Sequence, residues 1–172
     1  LNNHSYGDCT MSKLFVDDIV EKTSGNGVQI PGHVIQKQSA TYSTQTDMAT
    51  GSWTDTGLTV NITPKSSTSH MLIMIAQSFR IVSSNSDTGI SFRILRGSTV
   101  IFEPATTYVN YTYNNNNYCE HRGVDYTQHV DAHGSSSQLT YHVEGRSYAA
   151  NPTNRANDAG NTSTIIVLEI AQ

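Results

Sequence analysis

The stretch "HVDAH", residues 129–133, carries more chemistry than any other short run of this 172-residue sequence. In an extended chain the side chains alternate, so His129, Asp131 and His133 fall on one side. Two imidazoles and a carboxylate are fair ligands for zinc or iron, and near a threefold axis even one histidine per chain builds a site. The competing reading is the polar outer face of a strand, opposite Val130 and Ala132, and it is the stronger one. No metal or other cofactor is expected.

A second stretch, "TTYVNYTYNNNNYCEHRGVDYTQH" (106–129), interleaves tyrosine with asparagine. Tyrosine gives a large amphipathic contact at low entropic cost, and asparagine gives adaptable hydrogen bonds, the mixture that binding loops favour. Tyr108, Tyr111, Tyr113, Asn115, Asn116 and Tyr118 are therefore the candidate receptor-binding residues. The plain alternative makes Tyr111 and Tyr113 ordinary strand residues and 114–117 an ordinary turn. Catalysis finds little support. There is no Gly-x-Ser-x-Gly elbow, no Gly-rich phosphate loop and no Cys-x-x-Cys pair. Glu103, Glu120 and Asp125 suit a pair of glycosidase carboxylates by type alone, because nothing in their spacing brings them together. No enzyme is expected.

The elements that must position these residues are strands. Charged residues make up 14% of the chain and hydrophobic ones 36%. Ser, Thr and Asn are abundant, and no run of good helix formers occurs. The net charge of −4 argues against nucleic acid as partner, since phosphate binding needs a basic face. No apolar run approaches the roughly 20 residues of a membrane span, so no membrane insertion is expected. Cys9 and Cys119 are too few for a disulfide framework, and their spacing leaves open whether they pair.

"KLFVDDIVEKT" alternates with apolar residues on both faces, and "TSGNGVQIPG" turns the chain sharply into "VQIPGHVIQ". Such a ribbon is marginal alone and needs company, most cheaply copies of itself. Beyond Gln36 the strands come at sandwich spacing. "HMLIMIAQSFRIV" is apolar on both faces and should be central. "TGISFRILRGSTVIFEP" reads as two strands joined at Gly97 and Ser98. "SSQLTYHVEGRS" puts Leu139, Tyr141 and Val143 on one face, and "PTNRANDAGN" reads as a loop. In the closing "TSTIIVLEIAQ", Ile165 and Val167 point one way while Ile166, Leu168 and Ile170 point the other. A terminal strand apolar on both faces implies that a second subunit covers it. The expected fold is all-β: a jelly-roll sandwich at 37–172 behind a short N-terminal β neck at 1–36, trimeric. Phe15, Ile19, Val28, Ile30, Ile166, Leu168 and Ile170 are the expected trimer-interface residues.

"VDDIVEKTSGNGVQIPG" and "TGLTVNITPKSSTSHMLIMI", with "FRILRGSTVIF" and "STIIVLEIAQ", resemble the C-terminal region of tailed-phage fibre and related virion proteins. The resemblance covers nearly the whole chain and departs in the middle, at "YVNYTYNNNNYCEHRGVDYTQHVDAH". It implies an intertwined trimeric neck carrying a jelly-roll head like those of tumour necrosis factor and C1q. The implied role is a non-enzymatic virion protein, a homotrimeric tail-fibre head that binds a glycan or protein receptor on the host surface. The rival role is a capsid decoration or cement protein whose neck clamps onto the major capsid protein. A shaft upstream of Leu1 marks the first. A secreted signalling or lectin-like trimer and a polysaccharide depolymerase are the readings from other classes.

Overall fold

The computed structural model describes residues 30–83, 87–104, 109–112, 118–148 and 154–172. Residues 1–29 of the expected neck, with Phe15, Ile19 and Val28, lie outside them. Strands form where the sequence alternates: β1 (Val34–Tyr42), β2 (Thr46–Asp47), β3 (Thr54–Ile62), β4 (His70–Ser83), β5 (Thr88–Arg96), β6 (Thr99–Phe102), β7 (Asn110–Thr112), β8 (Cys119–Asp131), β9 (Leu139–Tyr148), β10 (Arg155–Ala156) and β11 (Ser163–Ile170). Among the described residues the only helical piece is a 3-10 turn at Asp158–Gly160.

The strands make two sheets with antiparallel ladders, packed face to face. Sheet A runs β1-β11-β4-β8, and the short β10 and β2 continue it where β11 leaves β4. Sheet B runs β3-β9-β5, with β6 and β7 sharing the far side of β5. The order is jelly-roll-like, the chain crossing between the sheets at β2–β3, β3–β4, β4–β5, β7–β8, β8–β9 and β9–β10. As expected, β4 is central, with β11 on one side and β8 on the other. The expected hairpin is present too: β5 and β6 are joined through Gly97, whose φ of 56° is the left-handed conformation glycine adopts without strain.

The core fills from the inward faces. Met71, Ile73 and Ile75 of β4 and Ile165 and Val167 of β11 meet Ile90, Phe92 and Ile94 of β5 and Tyr141 and Val143 of β9. Burying each such aliphatic side chain contributes roughly 1.5–3 kcal/mol, which sets the register of both sheets.

Three expectations change. The head begins before residue 37. Ile30–His33 form a turn with Pro31 second and Gly32 third, Gly32 at φ 85°, and this placement of Pro and Gly marks a type II turn. The turn is tied to the residue that follows β11: Gly32 N–H donates to the Ala171 carbonyl (2.8 Å) and Ala171 N–H to the His33 carbonyl (2.9 Å). Second, "PTNRANDAGN" is not simply a loop. Asn154, Asn157 and Asp158 are buried, and the Asn154 Nδ2 donates to Thr88, Gly89 and Ser147. Polar residues read as loop in sequence, yet here they satisfy backbone and hydroxyl groups that strand ends would leave unpaired inside. Third, the second half of the supposed recognition loop is β8, paired with β4 along its whole length.

Candidate functional site

Register fixes which side chains share the outer face of sheet A. Leu168 lies beside Leu72, which lies beside Val130, while Ile166 lies beside Met74 and Ile170 beside His70. Ile166, Leu168 and Ile170 are half-buried in the single chain, Val130 is 53% exposed and Tyr126 78%. A cleft of about 370 Å³ opens among Met74, Ile75, Tyr126, Thr127 and Gln128. Across the sheet the apolar region gives way to a row of cations, Arg122–Arg80–Arg155. Like charges side by side repel, so carboxylates thread between them. Glu120 takes Arg80 at 2.8 Å and Arg122 at 2.6 Å, Arg155 takes Asp47 at 2.8 Å, and Asp158 receives Arg122 at 3.2 Å. Hydrogen bonds from Arg80, then Tyr118 and Arg122, hold Glu120 down at about 2. Ile30, the remaining described candidate for the trimer interface, is 38% exposed in the turn before β1.

The "HVDAH" side chains share a face as expected, but it is the inward one. His129 sits opposite Ile73 and Asp131 opposite Met71, both core residues, while Val130 takes the outside. The correction follows from β4, whose apolar residues occupy both faces and so hide the sidedness of its partner. The three groups then part company. The His129 ring lies 5.9 Å from Phe102. Asp131 receives Arg96 and the Tyr141 hydroxyl. His133 Nδ1 accepts from Ser135 N–H at 3.0 Å, and its Nε2 lies 3.3 Å from Ser69 Oγ. Ser69 in turn donates to Glu169 at 2.5 Å, which also binds Gln36 and the Lys65 and Ser66 N–H groups. The hydroxyl here lies between imidazole and carboxylate, whereas a nucleophile triad puts the imidazole in the middle. Among the described residues no three His, Cys, Asp or Glu gather as a metal site. Glu103, Glu120 and Asp125 stay apart: Glu103 pairs with Arg93 of sheet B, while Glu120 and Asp125 occupy opposite faces of β8.

Of the tyrosine and asparagine candidates, Tyr108, Tyr113, Asn115 and Asn116 lie outside the described residues. Tyr118 is 65% exposed just before β8, its hydroxyl donating to Glu120 at 2.6 Å. Tyr111 is on the outer face of sheet B, where Gly89 separates it from Tyr148. The candidates thus divide between the two sheets. The same outer face of sheet B carries a cluster that the sequence did not reveal. Trp53 packs on Arg93 and Arg146, whose guanidinium carbons are 4.4 and 4.6 Å from its ring centre. Trp53 stands just before β3, and only the pairing of β5 with β9 brings the two arginines beneath it.

The chain matches no protein-family model and no curated protein.

Proposed function

We propose that the protein is a non-enzymatic phage virion protein, the homotrimeric head of a tail fibre, with the apolar patch of sheet A around Leu72 and Leu168 turned to the threefold axis and the remaining surface attaching to a host receptor. The observation that carries this reading is the outer face of sheet A. Ile166, Leu168, Leu72 and Met74 form a continuous apolar patch flanked by exposed Val130 and Tyr126. Contiguous apolar patches of this kind mark association surfaces, and identical subunits are the economical partner. The jelly-roll order and the likeness of the entry and β3–β4 segments to tailed-phage fibres support the same assignment.

Attachment tests it. Replacing Tyr111, Tyr113 and Tyr118 together by Ser should leave the trimer intact and weaken binding to the host cell by more than tenfold, or about 1.4 kcal/mol. Exposed aromatic anchors reach that size singly, and three-fold avidity enlarges it. A variant that stays trimeric and attaches like its parent removes the receptor assignment. A capsid ornament with the same head would then be the better reading.

A further inference from the structure

Arg93 and Arg146 share one tryptophan but not one electrostatic fate. Arg93 donates to Glu144 (2.7 Å) and to Glu103 (3.0 Å), so its charge is neutralised in place. Arg146 reaches no carboxylate among the described residues, and its Nε is buried without a hydrogen-bond partner. Across the ladder from Arg146 stands Ser91, whose buried Oγ also has no partner. Orphaned polar atoms of this kind are rare in folded proteins and need an explanation. Stacking on Trp53 orients the guanidinium plane and offsets a part of its desolvation, and it leaves the charge uncompensated. Sheet B's outer face also offers Tyr111 and Tyr148 one row further along, on either side of Gly89.

From this arrangement we infer that the Trp53–Arg146 patch on the outer face of sheet B binds an acidic saccharide, the sugar carboxylate engaging Arg146 and the ring hydroxyls donating to the neighbouring glutamates. A planar guanidinium with no internal partner matches a single carboxylate in bidentate geometry through its two terminal nitrogens, the Nε being buried. Glu103 and Glu144 repel a polyanion such as nucleic acid or a polyphosphate, yet accept hydrogen bonds from hydroxyls. One cation, flanking acceptors and nearby aromatic rings are therefore a better fit to a uronic-acid residue than to a phosphate. This inference rests on the host-attachment reading for its use, since it names the class of receptor, while its chemistry stands on these residues alone.

Trp53 is the single tryptophan of the chain, so its fluorescence reports the patch directly. Titrating the intact trimer with a glucuronate-containing tetrasaccharide should change that emission saturably. The carboxyl-reduced tetrasaccharide should bind at least tenfold more weakly. Arg146→Met, which keeps a long side chain beneath the ring, should lose the preference for the acid form and leave the weak binding of the reduced form unchanged. Equal binding of the two sugars, or a preference that persists in Arg146→Met, overturns the inference. So does an unchanged emission in the parent protein, which requires no variant to fold. Trimers that attach to host cells but ignore the acid sugar contradict this site alone. Trimers that bind the acid sugar but attach to no cell contradict the attachment reading alone.

Discussion

Arg96 and Asp131 tie the two sheets together: Nη1 of Arg96, at the end of β5, lies 2.7 Å from both carboxylate oxygens of Asp131, at the end of β8. The same carboxylate accepts the hydroxyl of the fully buried Tyr141 at 2.8 Å. Burial, with the Asp131 hydrogen bond behind it, pushes the Tyr141 phenol far above its ordinary value, so it remains a donor at any pH the fold experiences. Asp131→Ala strands a buried hydroxyl and a partly exposed guanidinium at once. The expected cost is about 2–4 kcal/mol, measured as a loss in denaturant midpoint at fixed protein concentration. A change below 0.5 kcal/mol, the size of an ordinary surface substitution, contradicts this account of the pair.

Acid should weaken the fold in two stages. Burial lowers the His133 imidazole, against the pull of Asp131 and Glu169 and with that of Arg96. The unfolded chain therefore takes the proton first, and this contribution is complete above the ordinary imidazole value of about 6.5 and lost as pH falls from there through the lowered folded value. Protonation at Nδ1 also removes the acceptor of the Ser135 N–H. Glu169 follows at lower pH. Burial acts to raise it, but Ser69, Lys65 N–H, Gln36 and Ser66 N–H outweigh burial and leave it lowered. Its contribution is present above the carboxylate range and lost below it. Asp125, raised by burial, works in the opposite sense. Thermal melts should thus show a falling midpoint between pH 7 and pH 5, with the slope flattened in His133→Gln. An identical slope in the variant assigns the effect elsewhere.

Gly145 marks a close approach inside the sandwich. A Cβ there would come within 2.4 Å of Met48 Sδ and 2.9 Å of the Phe92 ring. Phe92 is locked in the core, so Gly145→Ala overpacks and should cost about 1–3 kcal/mol. The companion Gly134→Ala meets nothing within 4 Å but sits at φ 62°, and is strained by backbone alone. Chemical denaturation of the two separates packing from dihedral strain; a neutral Gly145→Ala contradicts the tight inner packing.

The fold was legible where alternation and turn residues agreed. "TGISFRILRGSTVIF" contains its own hairpin signal, and the terminal strand declares two apolar faces before any partner is known. Sidedness was not legible at "HVDAH", because a period of two places His129, Asp131 and His133 together without saying which way they face. That choice belongs to β4, where Leu72 and Ile73 are both good core residues and only the opposing sheet selects Ile73. The Asn154–Asp158 plug was hidden for a different reason: hydrogen bonding buries those amides, and hydrophobic patterning carries no trace of it. The Trp53–Arg146 stack depends on residues from β5 and β9 meeting the segment before β3, a juxtaposition that only long-range register creates.

Assembly through sheet A turns on Leu168. It lies at the middle of the outer apolar face, between Leu72 and Lys37, and faces away from the core that holds Val167. Native mass of the parent protein at micromolar concentration, compared with Leu168→Asp, is the direct measurement. The expected mass is that of three chains of 18.8 kDa for the parent and of one chain for the variant, both with β-sheet circular dichroism. A carboxylate buried in an apolar interface without a partner is too costly to keep the assembly together. A parent that is folded and monomeric, or a Leu168→Asp protein that remains trimeric, contradicts assembly through this face.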